Sequence, residues 1–66
     1  HAALRQALKT LTDEQQQVLL LRFVAQLPVA EVAQQLQRSE GAVKQLQFRA
    51  LRALSRLLGE AEVGDG

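Results

Sequence analysis

The chain has 66 residues, a net charge of +1, no cysteine and a 47% apolar composition in which Phe23 and Phe48 are the aromatics. That length allows one small domain with a modest Leu/Val/Ala core and excludes disulfide staples or a thiolate metal site. No apolar run approaches the roughly 20 residues of a membrane span and no signal peptide is visible, so a soluble intracellular domain is expected.

In chain order, Leu4, Leu8 and Leu11 share one helical face with Arg5 and Lys9 turned outward, which predicts a first helix over residues 2–10. Thr12 follows as an N-cap. Asp13 and Glu14 stand in the first turn, where the helix dipole favours anions, and Gln15 takes the capping-box position. The second helix is predicted over residues 13–25. Its middle, VLLLRFV, is apolar almost all round, which suits a helix buried on several sides or one offering a face to a partner.

Pro28 then breaks the chain and opens a short third helix over residues 29–37, with Val32, Ala33 and Leu36 on one stripe. Gln37 and Arg38 make the turn. A left-handed Gln37 would cost on the order of 1 kcal/mol where glycine is usual. Ser39 caps the fourth helix, in which Val43, Leu46, Ala50 and Leu54 point inward and Lys44, Gln45, Arg49, Arg52 and Arg56 point outward. This helix is expected to run to Leu58 and to stop at Gly59. The domain would then occupy residues 1–58, with residues 59–66 a flexible acidic tail carrying Glu60, Glu62 and Asp65.

The fold class is therefore all-α: four helices, no strand, and a helix-turn-helix without a wing, of the winged-helix-like type. One core is expected, with Val32, Ala33, Leu36, Val43, Leu46, Ala50 and Leu54 packed together against Leu19 and Phe23. Two helices joined by a short turn, the second with a basic outer face, suit a DNA major groove. Charge supports this: residues 38–56 carry Arg38, Lys44, Arg49, Arg52 and Arg56 against Glu40 alone.

Enzyme chemistry is not expected. Asp13, Glu14, Glu31 and Glu40 have no histidine or cysteine partners, no glycine loop cradles phosphate, and His1, a lone terminal histidine, builds no metal site. No cofactor and no metal are expected.

The run from Leu11 through VLLLRF, AEVAQQL, RSEGAVK and RALRAL resembles region 4 of bacterial sigma factors of the sigma-70 family, closest to the extracytoplasmic-function group. The resemblance covers residues 2–58. It implies a C-terminal DNA-binding domain that reads the minus-35 promoter element and docks on the RNA polymerase beta flap, in the bacterial cytoplasm at the nucleoid. Carried over by position, Lys44, Gln45, Phe48 and Arg49 would face the groove, with Arg38, Ser39 and Arg52 near phosphates. Arg49 or Lys44 can donate to guanine, Gln45 can pair with an adenine edge, and Phe48 can meet a thymine methyl. Gln37 in place of glycine, Pro28 in place of a capping serine, and Gln47 at a usually apolar position depart from the pattern. Nothing in the chain matches a promoter-melting region 2, so an isolated C-terminal domain is expected.

A second, partner-binding face is expected from Val18, Leu21, Arg22 and Val24 with Leu51, Leu57 and Leu58, a groove for the flap, an anti-sigma factor or a transcription activator. Two other readings share some of these features. One is the helix-turn-helix output domain of another regulator, such as a response regulator. The other is a protein-interaction module that binds no DNA.

Overall fold

The computed structural model describes the backbone of residues 2–65 and the side chains of residues 2–59. His1 and Gly66, and the side chains of Glu60, Glu62 and Asp65 on which the acidic-tail expectation rests, lie outside what is described. Helix α1 spans Ala2–Thr10 and α2 spans Asp13–Leu19, continuing into a π-helical turn over Leu20–Val24. Helix α3 spans Val29–Leu36 and α4 spans Glu40–Asp65, with no strand among the described residues.

Side chains close the junction between α1 and α2. The Thr10 hydroxyl donates to the Ala7 carbonyl at 2.6 Å, and the Gln16 amide donates to the carbonyls of Leu8 and Leu11 at 2.8 and 3.3 Å. These bonds satisfy carbonyls that the end of a helix leaves without partners. Thr12 and Gln15 form the capping box: the Gln15 N–H donates to Thr12 Oγ1 at 3.1 Å, and the Thr12 N–H donates to Gln15 Oε1 at 3.2 Å.

The second helix, expected as one α-helix over residues 13–25, is not α-helical throughout. Over its last five residues it widens, and the Ala25 N–H donates to the Leu20 carbonyl five residues back at 2.9 Å. Gln26 then adopts a left-handed φ of 58°, and the Leu27 N–H reaches the Leu21 carbonyl at 2.9 Å. Pro28 precedes α3 in extended conformation, and its carbonyl accepts from Glu31 and Val32 at 3.0 and 3.1 Å.

Gln37 takes the left-handed conformation expected of the turn, with φ 56°. The Arg38 N–H donates to Ala33 at 2.9 Å and that of Gln37 to Gln34 at 3.3 Å, a Schellman closure built without glycine. Ser39 Oγ accepts from the Ala42 N–H at 3.0 Å and starts α4. The stop expected at Gly59 is corrected: α4 continues through it. Among the described residues no glycine has a positive φ, so Gly59 does not form a left-handed cap, and glycine within a helix costs only about 1 kcal/mol.

The single core expected from the stripes divides into two clusters. Val18, Val32, Ala33 and Val43 form the first, with Leu21, Leu27, Val29, Leu36 and Leu46 packed around them. Leu11, Leu19 and Ala50 form the second, joined by Leu8, Ala53 and Leu54. Leu19, Ala50 and Leu54 therefore pack toward α1 and not around Val43, and Phe23 is 50% exposed instead of buried. The reason is one of direction: α4 lies against both α1 and α3, so successive inward positions along it face different neighbours. Val43→Ala is expected to cost about 2 kcal/mol through the cavity it leaves, read by urea unfolding. A change under about 0.5 kcal/mol would show that the first cluster does not hold the helix-turn-helix together.

Candidate nucleic-acid interface

The inward positions fix the rotation of α4. Val43 and Ala50 are fully buried and Leu46 partly so. Gln45, Arg49 and Arg52, at i, i+4 and i+7, stand on the opposite, exposed side, and Arg56 continues the line. Seven residues of helix rise about 10 Å, close to the length of three base-pair steps at 3.4 Å each. Lys44 and Phe48 flank this stripe, and Phe48 leaves 61% of its surface exposed, unusual for an aromatic with no partner to cover it.

Arg38 and Ser39 lie in the turn before α4. Ser39 is occupied as the helix cap. Arg38 is half exposed and its Nε donates to Glu14 Oε2 at 2.5 Å, tying the turn to the start of α2. Glu14, Arg38, Ala42, Gln45, Leu46 and Arg49 together line a shallow cleft of about 160 Å³. Of the expected DNA-facing residues, Arg38, Gln45 and Arg49 thus line one cleft, and Ser39, Lys44, Phe48 and Arg52 are exposed outside it. The carboxylate in that cleft was missed, because position alone assigned Glu14 to the dipole of α2.

A separate surface lies across α4. Leu4, Leu8, Leu20, Phe23, Val24 and Leu51 line an open apolar groove of about 270 Å³ between α1, the π-helical turn and α4. Val24 and Leu51, both expected on a partner-facing surface, are in it, and Val24 is 74% exposed. The other expected partner residues are placed differently. Val18 has no exposed surface and belongs to the first cluster, so it cannot meet a partner. Leu21 packs half-buried against that cluster, Leu57 lies beside Ala3, Ala7 and Thr10 of α1, and Leu58 is half-buried.

Arg22 turns inward: its Nη1 donates to the Leu27 carbonyl at 2.7 Å and its Nε to Gln47 Oε1 at 3.0 Å. The polar Gln47 is thereby explained as the partner of Arg22. Leu4, Leu8 and Leu20 were missed as groove residues. The signal for Leu4 and Leu8 was present in the α1 leucine stripe, and that for Leu20 in the run VLLLRFV, which is apolar almost all round. Among the described residues no helix is long and apolar enough to cross a membrane, and no cluster of three or more His, Cys, Asp or Glu is placed to hold a metal.

Four packed helices, the last two forming a capped helix-turn-helix with a stripe of cations and an amide facing outward from the second of them, define a DNA-binding helix-turn-helix domain. The model of the family "Sigma-70, region 4" matches residues 7–56, and the chain belongs to that family. Over 58 residues it is 48% identical to the ECF RNA polymerase sigma factor BldN of Streptomyces coelicolor, a match that covers 88% of this chain and 22% of BldN. The fold is also similar to a chain in a solved RsbN–BldN complex, with a TM-score of 0.77 and 48% identity over 85% of this chain and 41% of that one.

Proposed function

We propose that this domain reads the minus-35 element of bacterial promoters as part of a sigma factor that directs RNA polymerase to initiate transcription. The observation that carries the reading is the rotation of α4: burial of Val43 and Ala50 leaves Gln45, Arg49 and Arg52 together on the free face. In this reading Lys44, Gln45, Phe48 and Arg49 meet base edges, and Arg38, Ser39 and Arg52 lie along phosphates. The amino end of α4 adds free N–H groups and a favourable dipole for phosphate. The work takes place in the cytoplasm at the nucleoid and uses no cofactor.

The apolar groove is the second working surface in this reading. It receives the beta flap of the polymerase, and an anti-sigma factor or a transcription activator competes for it or adds to it. A contiguous exposed apolar surface of this kind on a small domain supports a protein partner.

The test is to select duplexes from a randomised pool with the 66-residue chain, then titrate Arg49→Ala and Arg52→Ala against the selected and a scrambled duplex at several salt concentrations. Arg49→Ala is expected to lose about 1–3 kcal/mol of discrimination at one position. Arg52→Ala is expected to weaken both duplexes alike and reduce the salt slope by about one. Equal loss of discrimination from both variants would refute the assigned face.

A further inference from the structure

The cleft at the start of α4 contains an anion where a DNA-binding surface would be expected to carry cations alone. Glu14 and Arg38 are 24 positions apart in the chain, yet Glu14 Oε2 accepts from Arg38 Nε at 2.5 Å. Their side chains are 35% and 51% exposed, so neither is sealed from an approaching polyanion. Gln45 and Arg49 line the same cleft.

An exposed pair of this kind adds little to stability. Its effect on a nucleic-acid ligand is larger. Phosphate contacts supply the sequence-independent part of DNA affinity through release of condensed counterions, with a salt slope of about −0.9 per phosphate neutralised. A cation already matched by a carboxylate releases fewer counterions when phosphate arrives, because the carboxylate must be displaced or left facing the backbone.

We propose that Glu14 attenuates the phosphate grip of Arg38, setting the sequence-independent affinity of the domain for DNA. The proposal rests on the DNA-binding reading of α4. In this arrangement Glu14 is a positioning residue: it meets no base, and it acts through the guanidinium it holds. The base-reading residues Gln45 and Arg49 then account for a larger share of the discrimination between sites. The capping box at Thr12 and Gln15 keeps the first turn of α2, and so the carboxylate, in place.

The experiment compares the wild-type chain, Glu14→Gln, Arg38→Ala and the double variant on selected and scrambled duplexes by fluorescence anisotropy between about 0.05 and 0.3 M salt. Glu14→Gln is expected to bind both duplexes more tightly, by roughly eightfold at 0.1 M salt, and to steepen the salt slope by about one. Glu14→Gln on the Arg38→Ala background is expected to change neither quantity. The Arg38 Nε–H resonance should also move on Glu14→Gln in the absence of DNA.

Unchanged or weakened binding by Glu14→Gln overturns the proposal. So does an undiminished gain on the Arg38→Ala background, which would show a general charge effect. If the wild-type chain binds duplex and only Glu14→Gln fails to differ, the attenuation is refuted and the DNA reading stands. If neither the wild-type chain nor any variant binds either duplex, both fall.

Discussion

Arg22→Ala is expected to destabilise the domain by about 3 kcal/mol. The Arg22 guanidinium bonds the Leu27 carbonyl at 2.7 Å and Gln47 Oε1 at 3.0 Å, joining the π-helical turn, the linker to α3 and the middle of α4. Hydrogen bonds to a charged group contribute about 1.5–3 kcal/mol each, and removing the donor leaves a half-buried carbonyl and amide to find water. Its guanidinium also lies 5.9 Å from the centre of the Phe23 ring. A domain of this size has a total stability on the order of 3–10 kcal/mol, so the variant should lose about a third or more of it. Urea unfolding is the measurement, with Gln47→Ala as the companion. A loss under about 1 kcal/mol for Arg22→Ala would mean that the turn is held by backbone closure alone.

A carboxylate on each wall of the apolar groove is expected to reduce polymerase binding on the order of 100-fold without touching DNA binding. Val24→Asp places one on the π-helical turn and Leu51→Asp one on α4, at positions 74% and 41% exposed. In the free domain both charges remain in water and stability should change little. A partner that seats an apolar helix in the groove must strip that water from unpaired carboxylates, at a cost of several kcal/mol. Binding of the double variant to core polymerase and to duplex DNA, measured side by side, separates the two surfaces. Retained polymerase affinity would remove the groove from the interface. Joint loss of both activities with a lowered unfolding midpoint would trace the defect to folding and refute the claim that these positions are free surface.

Helix existence and the rotation of α4 were legible in the sequence because each rests on local chemistry. Thr12 and Ser39 are caps whose bonds close within three residues, and the Val43–Leu46–Ala50 spacing specifies a buried side whatever lies against it. Directions between helices were not legible. Leu19 and Leu54 carry no mark that assigns them to α1 instead of α3, so two clusters read as one. The widening over Leu20–Val24 was hidden for a related reason: a run apolar on every side has no periodicity from which a slipped turn could be noticed. Gln26 escaped because its left-handed backbone follows from that slip, and Arg22 because the acceptors that turn it inward, Leu27 and Gln47, come from separate segments.

The division of the core has a thermodynamic consequence. The proposed DNA-facing surface sits over the cluster of Val18, Val32 and Val43, whereas the groove sits over that of Leu11, Leu19 and Ala50. Helix α1 packs against the second cluster, so its release need not disturb the turn at Gln37 or the rotation of Lys44 to Arg49. In native-state hydrogen exchange the amides of α1 should therefore open at lower free energy than those of α3 and the first turns of α4. A ligand seated in the groove should slow exchange chiefly in α1 and leave the affinity at the other end nearly unchanged, two sites on one helix whose binding free energies add.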